Sequence, residues 1–190
     1  KLGHRYEMPA HQSPGSRISK SYPIVSKGAQ KLSVGSFDAV NATGNVDLTI
    51  HGRVRSSSAS VKTHETLMPD ATAPKNATPV FWVRHRTLYI NNPNAATPLY
   101  VVLNMPRIRA LMATGSVHVV SDHLKSRGFV LNDNSSRDVF LSGIMDVDKV
   151  AVHGSGNVYV RWVQSQLLQV NSNGTGMIRM AGVARDLRVR

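Results

Sequence analysis

From Phe37 onward the chain alternates between apolar and polar positions. Val40, Ala42, Gly44, Val46, Leu48 and Ile50 fall on one parity, and Asn41, Thr43, Asn45, Asp47 and Thr49 fill the places between. A period of two puts successive side chains on opposite faces, which marks a half-buried strand. Further short strands are predicted at 80–83, 87–90 and 99–103. Residues 65–79 are rich in Pro, Ala and Thr, which neither propagate a helix nor pair in a central strand, so a surface loop is predicted there. No amphipathic window completes three turns before Gly, Pro or a β-branched residue breaks it, and the chain reads as almost wholly β.

After residue 110 the alternation becomes a repeat. Residues 111–119, 133–141, 152–160 and 172–180 are copies of one unit, in which small or turn-forming residues precede an apolar pair. The pairs are Val117/Val119, Val139/Leu141, Val158/Val160 and Ile178/Met180, and the anchoring positions 115, 137, 156 and 176 lie 22, 19 and 20 residues apart. A fixed period near twenty predicts a single-domain β-solenoid with one coil per copy, its apolar pairs stacked into an internal column. Glycines before each pair allow the close corner approach that a bulky side chain would block. An antiparallel sandwich with turns at similar intervals is the competing architecture.

The first part of the chain differs. Residues 1–31 carry Lys1, Arg5, Arg17, Lys20, Lys27 and Lys31 among prolines and serines, with no apolar period. This reads as an extended basic arm over 1–34, followed by the solenoid at 35–190, and the arm is expected to take its order from a partner through residues such as Arg5, Arg17 and Lys20. The apolar share of 41% excludes wholesale disorder, and no apolar run approaches the eighteen or so residues of a transmembrane helix. The chain begins at Lys1 without a basic-then-apolar leader, so a processed start or a start inside the gene product is expected. There is no cysteine, which removes disulfides, thiol chemistry and Cys-based zinc sites. Lys and Arg exceed Asp and Glu by 23 − 11 = 12, which suits an acidic partner. The basic residues are scattered and no finger, helix-turn-helix or RNP motif accompanies them, so nucleic acid is not expected.

Several of these features together resemble the bacterial DUF2807 family, the putative auto-transporter adhesin, head GIN domain. They are a Phe-containing opening strand leading into the strand from Phe37 to Ile50, the short strand Thr87 to Ile90, the step from Pro106 to Gly115, and the Gly-Ser-Gly-type coils from Gly154 to Val160 and Gly174 to Met180. The resemblance spans about residues 35–184. It implies a right-handed parallel β-helix, export to the envelope of a Gram-negative bacterium, and a role in adhesion or surface assembly. The basic arm, the loop at 65–79 and the coil at 133–137, where Ser135 and Arg137 stand in for glycines, depart from the family pattern.

Catalytic patterns are lacking. Gly154-Ser-Gly156 has the wrong spacing for a nucleophile elbow, and Gly174-Thr-Gly176 lacks the Lys-Ser/Thr of a phosphate loop. The eight histidines include no H-E-x-x-H pair, and His118 with Asp122-His123 is the only local cluster. No enzyme, cofactor or metal is expected. If the apolar pairs face inward, the residues between them face out, giving a column of Asp47, His118, Phe140, Tyr159 and Arg179, with Arg161 one step further along the strand. Stacked aromatics beside arginine make a candidate contact strip, against the plainer reading of ordinary β-favouring surface residues. Two functions follow. The first is an interaction subunit of a large envelope assembly, such as the outer-membrane core of a secretion system, binding neighbouring envelope proteins through its arm and solenoid surface. The second is a surface adhesin or polysaccharide-binding module. Either would sit in the periplasm or at the outer membrane, with a lipid anchor before Lys1 as one route to the membrane.

Overall fold

A computed structural model describes residues 16–19, 28–63 and 79–190. Among these residues every regular element is a strand, and twelve strands share one sheet. They are β1 (Ser16–Ser19), β2 (Gly28–Leu32), β3 (Ala39–His51), β4 (Ser58–Thr63), β5 (Val80–Arg84), β6 (Thr87–Asn92), β7 (Leu99–Asn104), β8 (Ala110–Asp122), β9 (Leu124–Ser135), β10 (Val139–Val152), β11 (Val158–Ser172) and β12 (Ile178–Val189).

From β8 onward the chain returns beside itself at a regular step. Ala110 registers with Val130, Val130 with Lys149, Lys149 with Gln169 and Gln169 with Arg188, all in parallel ladders. The steps are 20, 19, 20 and 19 residues. On the other side of each coil Val119, Val139, Val158 and Ile178 register in turn. The inward rows are continuous across strands: Leu88, Val40, Leu111, Leu131, Val150 and Val170 form one column, all buried. Each such side chain contributes roughly 1.5–3 kcal/mol by leaving water.

The repeat starts two residues away from where its glycines alone place it. Gly115 registers with Ser135, not Arg137, and Val119 with Val139, not Leu141. The cause is the Ser135 hydroxyl, buried in this coil. It accepts the Val117 N–H at 3.0 Å and the Arg137 N–H at 3.1 Å and donates to the Val117 carbonyl at 2.7 Å. That hydroxyl substitutes for the next coil's backbone and leaves Arg137 outside the ladder. Because side chains alternate with period two, a slip of two keeps the same residues facing in.

The sheet is mixed rather than uniformly parallel. β6 and β7 lie side by side along the two halves of β3, both parallel to it. β5 is antiparallel to β6, β1 to β5, β4 to β7 and β2 to β4. The two-residue turn His85-Arg86, with φ of 48° and 60°, explains the first of these, since so short a link joins only antiparallel neighbours. The described parts of the basic arm, Ser16–Ser19 and Gly28–Leu32, are therefore strands of this chain's own sheet, and Leu32 is buried in its core. Arg5, Lys20 and residues 65–78 of the loop expected at 65–79 lie outside the described residues.

Backbone contact decides the corners. A Cβ on Gly156 would sit 2.1 Å from the Arg137 carbonyl oxygen, and one on Gly176 would sit 2.0 Å from that of Gly156. Gly35, by contrast, has open space around it. Asp133 is the one buried carboxylate among the described residues. It stands in the inward row between Ala113 and Val152, with Oδ1 accepting the Ser135 N–H at 3.1 Å and Oδ2 without a hydrogen-bond partner. Burial pushes its carboxyl up to about 6.

Two outcomes follow. Gly156→Ala is expected to lower stability in urea melts by about 1–3 kcal/mol, and Gly35→Ala to stay within about 0.5 kcal/mol. Asp133 holds its proton more tightly folded than unfolded, so its stabilising effect is complete below about pH 4 and is lost as pH rises through about 6. Asp133→Asn should flatten that part of the stability profile and raise the unfolding free energy from urea melts at pH 7.5 by at most about 3 kcal/mol.

Candidate functional site

The outward face of the strands assembles most of the expected column. Tyr100 of β7 and His118 of β8 flank Asp47 of β3 in register, and Phe140 of β10, Tyr159 of β11 and Arg179 of β12 form a second run in register. The two runs meet at His118 and Phe140, whose rings pack edge to face at 6.0 Å. Phe140 and Tyr159 stack at 4.7 Å with their planes 4° apart. That separation matches the spacing of adjacent strands, so the ladder itself dictates the stack.

The turns fix where each ring begins. The Asp138 carboxylate accepts the Asn157 N–H at 2.9 Å, and the Asn157 side-chain oxygen accepts the Met177 N–H at 2.9 Å. Each of these residues precedes an apolar pair, so one coil pins the start of the next. His118 Nδ1 donates to the Asp138 carbonyl at 2.8 Å, which holds the imidazole against Phe140. Asp47 is taken by Arg137 through two contacts of 2.8 and 3.3 Å. The arginine displaced from the ladder thus closes the His118 end of the column with a forked ion pair.

The rings spend their faces on one another, so the ladder presents edges, the Tyr159 hydroxyl and the exposed Arg179. An open aromatic surface lies beside it. Arg161 and Trp162 are both exposed, and Trp162 falls at the register shift between Arg161 and Val163, where β11 carries one residue more than β12. A bulge re-aims the extra side chain, and the Trp162 indole is left 57% exposed. Ile144 is 62% exposed at the matching irregularity of β10. Trp162, Tyr100 and the Asp47–Arg137 pair are absent from the sequence-based column. The alternation puts Trp162 on the inward parity of Val158 and Val160, so only the bulge reveals its exposure, and the pairing of β3 with β7 leaves no local trace.

Other expected positions disperse. Arg17 lies on β1 with Trp82 as its register partner, far in the sheet order from β11. His118 does not join Asp122 and His123. Asp122 instead receives His51 Nδ1 at 2.8 Å and His123 Nδ1 at 3.1 Å. The hydrogen bond from His123, helped by that from His51, holds the Asp122 carboxyl below its usual range against the opposing effect of burial. Among the described residues no three His, Asp or Glu side chains converge on a metal position.

The DUF2807 family, described as putative auto-transporter adhesin, head GIN domain, matches residues 36–190. The chain belongs to this family. Its fold recurs in solved structures of low identity. A putative adhesin from Parabacteroides merdae is 13% identical with a TM-score of 0.52, over 85% of this chain and 75% of that one. A putative adhesin from Parabacteroides distasonis is 14% identical with a TM-score of 0.50, over 85% and 76%. A putative lipid binding protein from Parabacteroides distasonis is 17% identical with a TM-score of 0.55, over 85% and 75%. No curated protein sequence matches the chain. Membership in DUF2807 accounts for the coils; the match begins at residue 36, so the strands β1 and β2 lie outside the family's matched region.

Proposed function

We propose that this DUF2807 chain is a non-enzymatic adhesin-type module of the bacterial cell envelope, and that it holds a saccharide chain along the Phe140–Tyr159 ladder and the neighbouring Trp162. The observation that carries this reading is the in-register outward column of Phe140, Tyr159 and Arg179, with the exposed Arg161 and Trp162 following Tyr159 along β11. An indole face packs against the apolar C–H face of a sugar ring, and a tyrosine hydroxyl with arginine donors engages its oxygens. The rigid stack lowers the ordering cost of binding because its side chains are already fixed. The family and the adhesin descriptions of its structural relatives point the same way. The coils are taken to wind as a right-handed parallel β-helix, in keeping with the strong preference of parallel crossovers for that hand.

The assembly-subunit reading loses its main support. The described stretches of the arm pair with this chain's own β5 and β4, so they are not free to thread onto neighbours.

A glycan array of bacterial surface polysaccharides, followed by titration of the best hit, tests the proposal. Trp162→Ala and the pair Phe140→Ala/Tyr159→Ala should each weaken binding at least about tenfold while the melting temperature of Trp162→Ala stays within about 2 °C. Retained affinity in both variants would remove the ladder from consideration.

A further inference from the structure

A second surface has its own chemistry. Three connecting segments converge at one corner of the coil: residues 52–55 after β3, 106–107 before β8, and the bend at 122–125 between β8 and β9. Main-chain hydrogen bonds tie them together, Gly52 N–H to the Asp122 carbonyl at 2.9 Å, Met105 N–H to the His51 carbonyl at 2.9 Å and Ile108 N–H to the Lys125 carbonyl at 3.0 Å. Between them runs a groove of about 620 Å³ whose charged lining is Arg53, Arg55, Arg107 and Lys125, with His123 and Ile144 at its lip.

All four cations are exposed, and none of their side chains has an ion-pair or hydrogen-bond partner among the described residues. Elsewhere the described arginines that flank acids are paired: Arg86 and Arg109 on Asp38, Arg137 on Asp47, Arg188 on Asp186. The carboxylate adjoining the groove, Asp122, is already occupied by His51 and His123. Among the described residues no acid lines the groove, so the four like charges raise a local positive potential that a bound anion would relieve.

We propose that this groove binds closely spaced phosphate or sulfate groups carried on a saccharide, with Arg53, Arg55 and Arg107 as the recognising residues. Three planar guanidinium forks match tetrahedral oxyanions, which accept paired N–H donors, and the groove is large enough for a disaccharide-sized ligand. None of these residues belongs to the aromatic ladder, so the groove stands or falls independently of it. Such oxyanions reach the protein either on a free polysaccharide or on a glycolipid headgroup in a membrane.

The test uses the full chain and three probes: a short dextran sulfate, unsulfated dextran of the same length, and phosphatidylcholine vesicles with and without phosphatidic acid. The chain should bind dextran sulfate and not dextran. Arg53→Gln/Arg55→Gln/Arg107→Gln should weaken that binding at least tenfold. Arg84→Gln/Arg185→Gln/Arg190→Gln, which removes the same charge from exposed positions elsewhere, should change it no more than twofold. Groove-dependent binding to the acidic vesicles as well would identify a membrane headgroup as the source, and binding to dextran sulfate alone a free chain. Equal losses in the two triple variants would show net charge at work and overturn the proposal, as would no binding to any sulfated or phosphorylated probe.

Discussion

Every coil must lie one strand spacing from the next along its whole path, including where the path turns. That constraint governs the rest of the molecule. Along straight segments it is met by parallel hydrogen bonds and by inward columns such as Val40, Leu111, Leu131, Val150 and Val170. At the corners only backbone fits, which is why the Arg137 backbone leaves no room for a Cβ on Gly156, and the Gly156 backbone none for one on Gly176. Where a glycine is replaced, the local structure changes: Ser135 turns its hydroxyl into a backbone substitute, Arg137 is expelled toward Asp47, and Asp133 is left buried with one oxygen unpartnered.

The same constraint builds both candidate surfaces. Outward side chains at equivalent positions must stack, so Phe140 and Tyr159 come into parallel contact without any specific attraction being needed to bring them together. Bends carry spare residues, and spare residues point away from the core, as Trp162 and Ile144 do. The connecting segments are freed from alternation, and it is there that uncompensated arginines gather.

The sequence discloses what repeats and conceals what does not. The alternation around Val46 and Leu48, the spacing near twenty and the outward run Phe140, Tyr159 and Arg179 follow from local periodicity and reappear in the structure, while His118 falls out of register with Phe140. The two-residue offset at Ser135 is hidden because glycine spacing cannot weigh a hydroxyl that mimics backbone. The antiparallel strands are hidden for another reason: β5 pairs with β6 through a two-residue turn and β4 pairs with β7 far along the chain, and the periodicity of each strand encodes neither. Asp47 and Arg137 stand 90 residues apart, and nothing near either marks the other. The basic groove likewise draws Arg53 and Arg107 from two loops and Lys125 from the start of β9, which look like unrelated charges in the chain.

A stack with a step of 19 or 20 residues also behaves as a ruler. Each added coil would lengthen the outer ladder by one ring position, about 4.8 Å, without disturbing the coils already present. Gene duplication in units of one coil could therefore change how many outward rings the ladder presents, in fixed increments, while leaving the packing of each ring as it was.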